Sequence, residues 1–279
     1  VTAYDLAMNP SDVWEATVLV DVTGPETVFT SLPASPTNQS TIVVGVSGVD
    51  GGGGSGVQRI EVAGVVVDGD GGTATLTNLT SGVYNVTAFS VDFAGNVDGT
   101  PAWAVIEVDL DPPTSSFVSQ PPTVTNDQTV TVNVASSEVG GVTYGRVVGD
   151  VEWTEASIGG ELVLHDVSHG THTLEVFSVD AAGNVEREPY VTSEVFVVDV
   201  VRPELTWTQE PEPYTQSTSV TGCVSVVDDT AVTVTTDPVL PITDGCFVRT
   251  ASADGTVTVT VSATDAAGNT VLSPLSSSW

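Results

Sequence analysis

The sequence predicts an all-β protein, a tandem array of sandwich domains, on three observations. Val and Thr are abundant, and 27 Gly with 16 Pro fall mostly in short clusters between Val/Thr-rich runs. That composition suits many short strands joined by tight turns. Apolar and polar residues alternate with period two ahead of a recurring Asp–Asn motif, the mark of strands with one buried face. Two separate motifs also recur with one shared period.

The first motif appears at Asp5 to Asn9, Asp92 to Asn96, Asp180 to Asn184 and Asp265 to Asn269, in the last three as D-x-A-G-N. Its Asp residues lie 87, 88 and 85 positions apart. The second is an Asp followed four residues later by Pro, at Asp21–Pro25, Asp109–Pro113 and Asp199–Pro203, with spacings of 88 and 90. A period of this size fits a β-sandwich of roughly 100 residues. Ahead of the motif, Tyr84, Val86, Ala88 and Ser90 should face inward, as should His172, Leu174, Val176 and Ser178, and Val257, Val259, Val261 and Ala263. After it comes another expected strand, at Trp103–Val108, Glu194–Val198 and Glu15–Val20. A Pro cannot donate to a ladder, so the second motif ends one domain and opens the next. The expected organisation is a C-terminal remnant of a preceding domain (1–23) and three domains at 24–111, 112–201 and 202–279. Gly51–Gly54 falls between the runs Val43–Val46 and Ile60–Val67, and reads as a surface loop.

The charge balance excludes some functions. There are 36 acidic residues against five Arg and no Lys, for a net charge of −31. Nucleic acid, which needs a basic surface, is not an expected partner. Anionic membrane surfaces are disfavoured, and no apolar run approaches the roughly 20 residues of a spanning helix, so no membrane insertion is expected. The acidity reads either as solubility by charge repulsion, as in a saline setting, or as a surface neutralised by calcium. Cys223 and Cys246, 23 positions apart within one repeat, read as a disulfide and so as an oxidising, extracellular setting.

At this point the run from His172 to Asn184, followed by Glu194-Val-Phe-Val-Val-Asp199, resembles the bacterial-type immunoglobulin-like repeats of large cell-surface and secreted proteins. Ser136-Ser137-Glu138, the Gly170 turn and the run Gly48–Val57 ahead of Ile60-Glu61-Val62 fit the same pattern. The resemblance implies immunoglobulin-like β-sandwiches with a non-catalytic role. It implies rods or filaments of a surface appendage, whose partners are copies of the chain or other filament proteins. The alternatives are an adhesin stalk presenting a tip to carbohydrate or a host surface, and the non-catalytic repeat region of a secreted enzyme. The chain departs from the pattern at Met8, where the other copies carry Gly, and in having Cys in the last repeat alone.

Candidate chemistry is sparse. Asp92 with Asn96, Asp180 with Asn184 and Asp265 with Asn269, near the junction residues Asp21, Asp109, Asp111 and Asp199, could supply hard oxygen ligands to calcium. The plainer alternative is a tight turn capped by its Asp, with Gly at positive φ. The three His (165, 169 and 172) cluster in sequence, but His172 falls on the inward register held by Tyr84, which favours a structural role. Leu79 to Tyr84 looks like a corner in which the Tyr hydroxyl bonds nearby backbone, as sandwiches of this class have. No cofactor is required by any motif. Sequons stand at Asn38, Asn78 and Asn85. Phe89 and Phe177 occupy one outward position in successive repeats, either as an assembly contact or packed beneath a neighbouring loop.

Overall fold

The computed structural model describes residues 3–12 and 15–278. Residues 1, 2, 13 and 14 of the opening segment, and residue 279, lie outside the described residues. All helix or strand structure among the described residues is β. The chain divides into two compact units, 1–112 with 181–184, and 113–180 with 185–279.

Among the described residues, seven strands build the first unit: β1 (Glu26–Ser31), β2 (Ile42–Val49), β3 (Val57–Val62), β4 (Val65–Asp68), β5 (Gly71–Leu76), β6 (Gly82–Asp92) and β7 (Ala102–Val108). They form two sheets, ordered β1-β2-β5 and β4-β3-β6-β7. The inward residues of β2 (Ile42, Val44, Val46) meet Ile60, Val62, Val86, Ala88, Ile106 and Val108 in one buried cluster. Each such Val or Ile side chain contributes about 1.5–3 kcal/mol on leaving water, so the alternation in the sequence is what closes the sandwich. The run Ile60–Val67 is a hairpin rather than a single strand. Ala63 and Gly64 take φ of 45° and 88°, and Val62 pairs with Val65 across them. Positive φ at both central residues matches the twist of the strands they join.

The second unit opens with β8 (Ser115–Phe117), β9 (Val124–Thr125), β10 (Val130–Ser136), β11 (Val142–Val147), β12 (Thr154–Glu155), β13 (Glu161–Leu164), β14 (Gly170–His172), β15 (Leu174–Val179), β16 (Val191–Thr192) and β17 (Phe196–Val198). Sheets β13-β10-β8 and β12-β11-β15-β16 repeat the first sandwich, and β14-β17-β9 extends it through a parallel β17–β9 pair. Phe196, Leu162, Leu174 and Val176 fill its core. Then follow β18 (Glu204–Gln209), β19 (Ser219–Val227), β20 (Val232–Asp237), β21 (Cys246–Thr250), β22 (Thr258–Asp265) and β23 (Leu275–Ser278), in sheets β18-β19-β21 and β20-β22-β23 around Phe247, Val259 and Val261. The chain is thus a tandem of immunoglobulin-like β-sandwiches.

Val86, Ala88, Ser90, Leu174, Val176, Ser178, Val259, Val261 and Ala263 are all buried. Tyr84, His172 and Val257, at the start of each alternating run, are half-buried. The expected strand Glu15–Val20 is not formed; Val18, Leu19 and Val20 are exposed. A lone extended segment has no ladder to satisfy its backbone, so apolar alternation alone does not make it a strand.

Candidate functional site

The Asp–Asn motif folds as a turn that closes on itself. The Asp92 amide donates to the Asn96 carbonyl at 3.1 Å, and Asp92 Oδ1 accepts the Asn96 amide at 2.8 Å. Gly95, Gly183 and Gly268 take φ of 92°, 91° and 94°, which a residue with a Cβ resists. Met8 holds the same place at φ 64°. That copy still forms, with Asp5 accepting the Asn9 amide and carboxamide at 3.0 Å each. These bonds, the Asn9 side chain first, hold the Asp5 carboxyl below its usual pKa.

The two sequence motifs meet in space. Asn96 Nδ2 donates to Asp92 Oδ2 at 2.8 Å and to the Asp21 carbonyl at 3.2 Å. Asn269 Nδ2 does the same to Asp265 Oδ2 and the Asp199 carbonyl, both at 2.8 Å. Asn184 Nδ2 reaches the Asp109 carbonyl at 2.9 Å. The Asn therefore braces its turn to the chain segment that enters the same repeat, and at Asn96 and Asn269 both hydrogens of the carboxamide nitrogen are engaged.

Each brace draws carboxylates together. In the first unit, ligand-capable oxygens of Asp21, Asp50 and Asp92 lie within 4.8 Å of one another. Asp92 is fully buried at the end of β6, and Asp50 follows β2. The Gly-rich loop then folds over them. Ser55 N donates to Asp21 Oδ2 at 2.7 Å, and Gly56 N to Asp50 Oδ2 at 2.6 Å. A Cβ on Gly54 would stand 2.3–2.4 Å from the Asp50 carboxylate, so only glycine admits this approach. The Ser55 amide, then its hydroxyl, then Thr23, hold the Asp21 carboxyl far below the usual range. Asp50 Oδ1 is sealed from solvent with no hydrogen-bond partner.

The second unit repeats the arrangement with Asp199, Asp228 and Asp265, again within 4.8 Å. Asp199 is fully buried; its Oδ1 accepts Val201 N at 3.0 Å and its Oδ2 accepts Thr230 Oγ1 at 2.9 Å. Asp228 Oδ1 accepts Thr230 N and Oγ1 at 2.9 Å each, while Asp228 Oδ2 is sealed and unpartnered. His169 Nδ1 stands 3.5 Å from Asp199 Oδ1, and its Nε2 3.4 Å from Asp229. Asp50 and Asp228 escaped the sequence reading. Their signal was an Asp directly after the Val that ends the second strand of its sandwich, at Val49-Asp50 and Val227-Asp228.

The remaining candidates have simpler settings. Asp111 accepts Ser81 Oγ at 2.8 Å and its amide donates to Asp109 Oδ1, while Asp180 is 7% exposed. Tyr84 forms the corner: its hydroxyl accepts Thr80 N at 2.9 Å and donates to Thr80 O at 3.0 Å. His172 takes over that role, with Nε2 at 2.7 Å from Ser168 O, also four residues upstream. His165 is exposed, and among the described residues no close carboxylate trio includes a His. Cys223 and Cys246 are cross-strand partners joined by a disulfide. Asn78 and Asn85 are exposed and Asn38 is half-buried. Phe89 is half-buried opposite Glu61. Phe177 packs against Tyr144, Trp153 and Tyr190 at centroid distances of 5.3, 4.6 and 5.2 Å. Arg146 covers Trp153 and pairs with Glu175 at 2.7 Å.

No family model matches the chain, and no curated protein matches it. Among solved structures, it is similar to the fibronectin(III)-like modules of Clostridium thermocellum CbhA, at 16% identity over 62% of this chain and 93% of that one, with a TM-score of 0.35. A marsupial T cell receptor aligns at 9% identity over 90% and 99%, with a TM-score of 0.42. Invasin, a bacterial integrin-binding protein, aligns at 15% identity over 87% and 57%, with a TM-score of 0.30.

Proposed function

We propose that the chain is a structural segment of an extracellular surface protein, in which braced sandwiches act as a rod or as the subunit of a filament. The observation that carries this reading is the brace. In three repeats an Asn carboxamide ties the last turn of the sandwich to the segment that enters it. A hydrogen bond at each entry point holds the entering segment to its own sandwich, which suits a load-bearing array. The disulfide between neighbouring strands supports an oxidising environment. The acidic surface suits a polymer that must not bind anionic cell surfaces. Such a segment has copies of itself or other filament proteins as partners. Electron microscopy of the native material tests the proposal. Ordered polymers are the expected result, whereas separate particles at native concentration would overturn the filament reading in favour of a stalk.

A further inference from the structure

We infer that Asp21, Asp50 and Asp92, and equally Asp199, Asp228 and Asp265, are two binding sites for a hard divalent cation, calcium before magnesium. Three carboxylates brought within 4.8 Å repel one another, and a folded chain tolerates this only where the charge is answered. Hydrogen bonds answer most of it. Asn96 and Asn269 saturate the motif Asp, the loop amides of Ser55 and Gly56 serve Asp21 and Asp50, and Thr230 serves Asp199 and Asp228.

What remains is one oxygen per site, Asp50 Oδ1 and Asp228 Oδ2, each buried and without a partner. An unpartnered buried carboxylate oxygen is costly. Here the same cost recurs at corresponding positions of two sandwiches whose other residues differ widely. Asp98, the other carboxylate with a sealed free oxygen among the described residues, belongs to neither trio. A cation lying among the three carboxylates supplies the missing partner.

Ligand chemistry favours calcium. Calcium holds oxygen at about 2.3–2.6 Å and accepts irregular sets of carboxylates and carbonyls, whereas magnesium demands near-ideal octahedral geometry and gives up its waters reluctantly. Three carboxylates with oxygens all within 4.8 Å of one another can share a calcium ion, and the Asp21 and Asp199 carbonyls are held beside the trios by the Asn braces. The ligand set differs from the one the motif alone suggests, since it takes one Asp from the entering segment, one from the end of the second strand and one from the turn. The binding does not depend on whether the array is a filament or a stalk.

Calcium chloride titrated calorimetrically into the full, chelator-stripped chain should show saturable binding, weaker with magnesium, and calcium should raise the Tm by several degrees. Asp50→Asn and Asp228→Asn should each remove one bound equivalent and lower the Tm in calcium. In chelator they should leave the Tm equal to or above that of the parent, because the amide relieves repulsion. Asp21→Asn, outside every strand, tests the first site without touching a core and should abolish the same equivalent. The inference is overturned by the absence of saturable heat at millimolar calcium, by variants that bind as the parent does, or by a Tm loss equal in calcium and chelator.

Discussion

Replacing Asn269 by Ala is the sharpest test of the brace. The carboxamide nitrogen donates to Asp265 Oδ2 and to the Asp199 carbonyl, both at 2.8 Å. Asp265 is 6% exposed and Asp199 fully buried, so water cannot readily replace either bond. A bond to a charged acceptor is worth about 1.5–3 kcal/mol and one to a neutral carbonyl about 0.5–1.5, which puts the loss near 2–4 kcal/mol. For a domain of this size each kcal/mol moves the midpoint by about 4–8 °C, so the third sandwich should unfold about 10–25 °C earlier. Asn269→Asp keeps the shape but cannot donate, and sets a further anion against Asp265; in chelator it should lose at least as much. The assay is calorimetry of the full chain in chelator, because a multidomain chain must be resolved transition by transition. The third sandwich is recognised as the transition that moves when Cys223–Cys246 is reduced. A loss below about 0.5 kcal/mol, small beside the worth of a single bond, would refute the idea that the brace holds the turn to its entering segment.

Other consequences follow from single features. Removing the Cys223–Cys246 disulfide by paired Ala substitution opens a loop spanning 23 positions and should cost the third sandwich roughly 3 kcal/mol on the chain-entropy account; an unchanged denaturation midpoint would contradict it. Gly145→Ala sets a methyl 2.3 Å from Leu162 Cδ2 and 3.0 Å from Val176 Cγ1, so overpacking should cost about 1–3 kcal/mol. Adding Leu162→Val should recover part of that loss in a double-mutant cycle, and strictly additive losses would argue against the clash. The Asp21 carboxyl is held below its usual pKa in the folded chain. Its stabilising contribution is therefore complete above the ordinary carboxylate range and is lost as pH falls through that range and on toward the folded value. In chelator, Asp21→Asn should flatten the acid side of the stability profile of the first sandwich, and an unchanged slope would show that the Ser55 contact is not made in solution.

Much of the fold was legible because burial imposes a period. Val86, Ala88 and Ser90 alternate with polar neighbours because one face of β6 meets the core, and the same rule exposed the matching strands of the other repeats. The rule failed at Glu15–Val20, where alternation has no sheet to join. It also ran past the turn at Ala63-Gly64, where two backbone angles outweigh the Val-rich run on either side. At the carboxylate trios, the turn Asp and the entering Asp carried motifs that repeat every 88 residues or so. Asp50 and Asp228 carried none, since a single Asp at the end of a strand is ordinary in an acidic chain.

The sequence by itself determined the all-β class, the repeat, the buried faces and the self-closing Asp–Asn turn. All of these are set by local chemistry and by periodicity along the chain. Only the tertiary structure decided that the turn and the entering segment meet through the Asn carboxamide, and that the Gly51–Gly54 loop closes over an acidic trio rather than lying idle on the surface. It also showed that one carboxylate oxygen in each of these two trios, Asp50 Oδ1 and Asp228 Oδ2, is buried without a partner. Those facts depend on residues 29 to 75 positions apart, and strand pairing in a folded sandwich brings such residues together without leaving a mark on their neighbours in sequence.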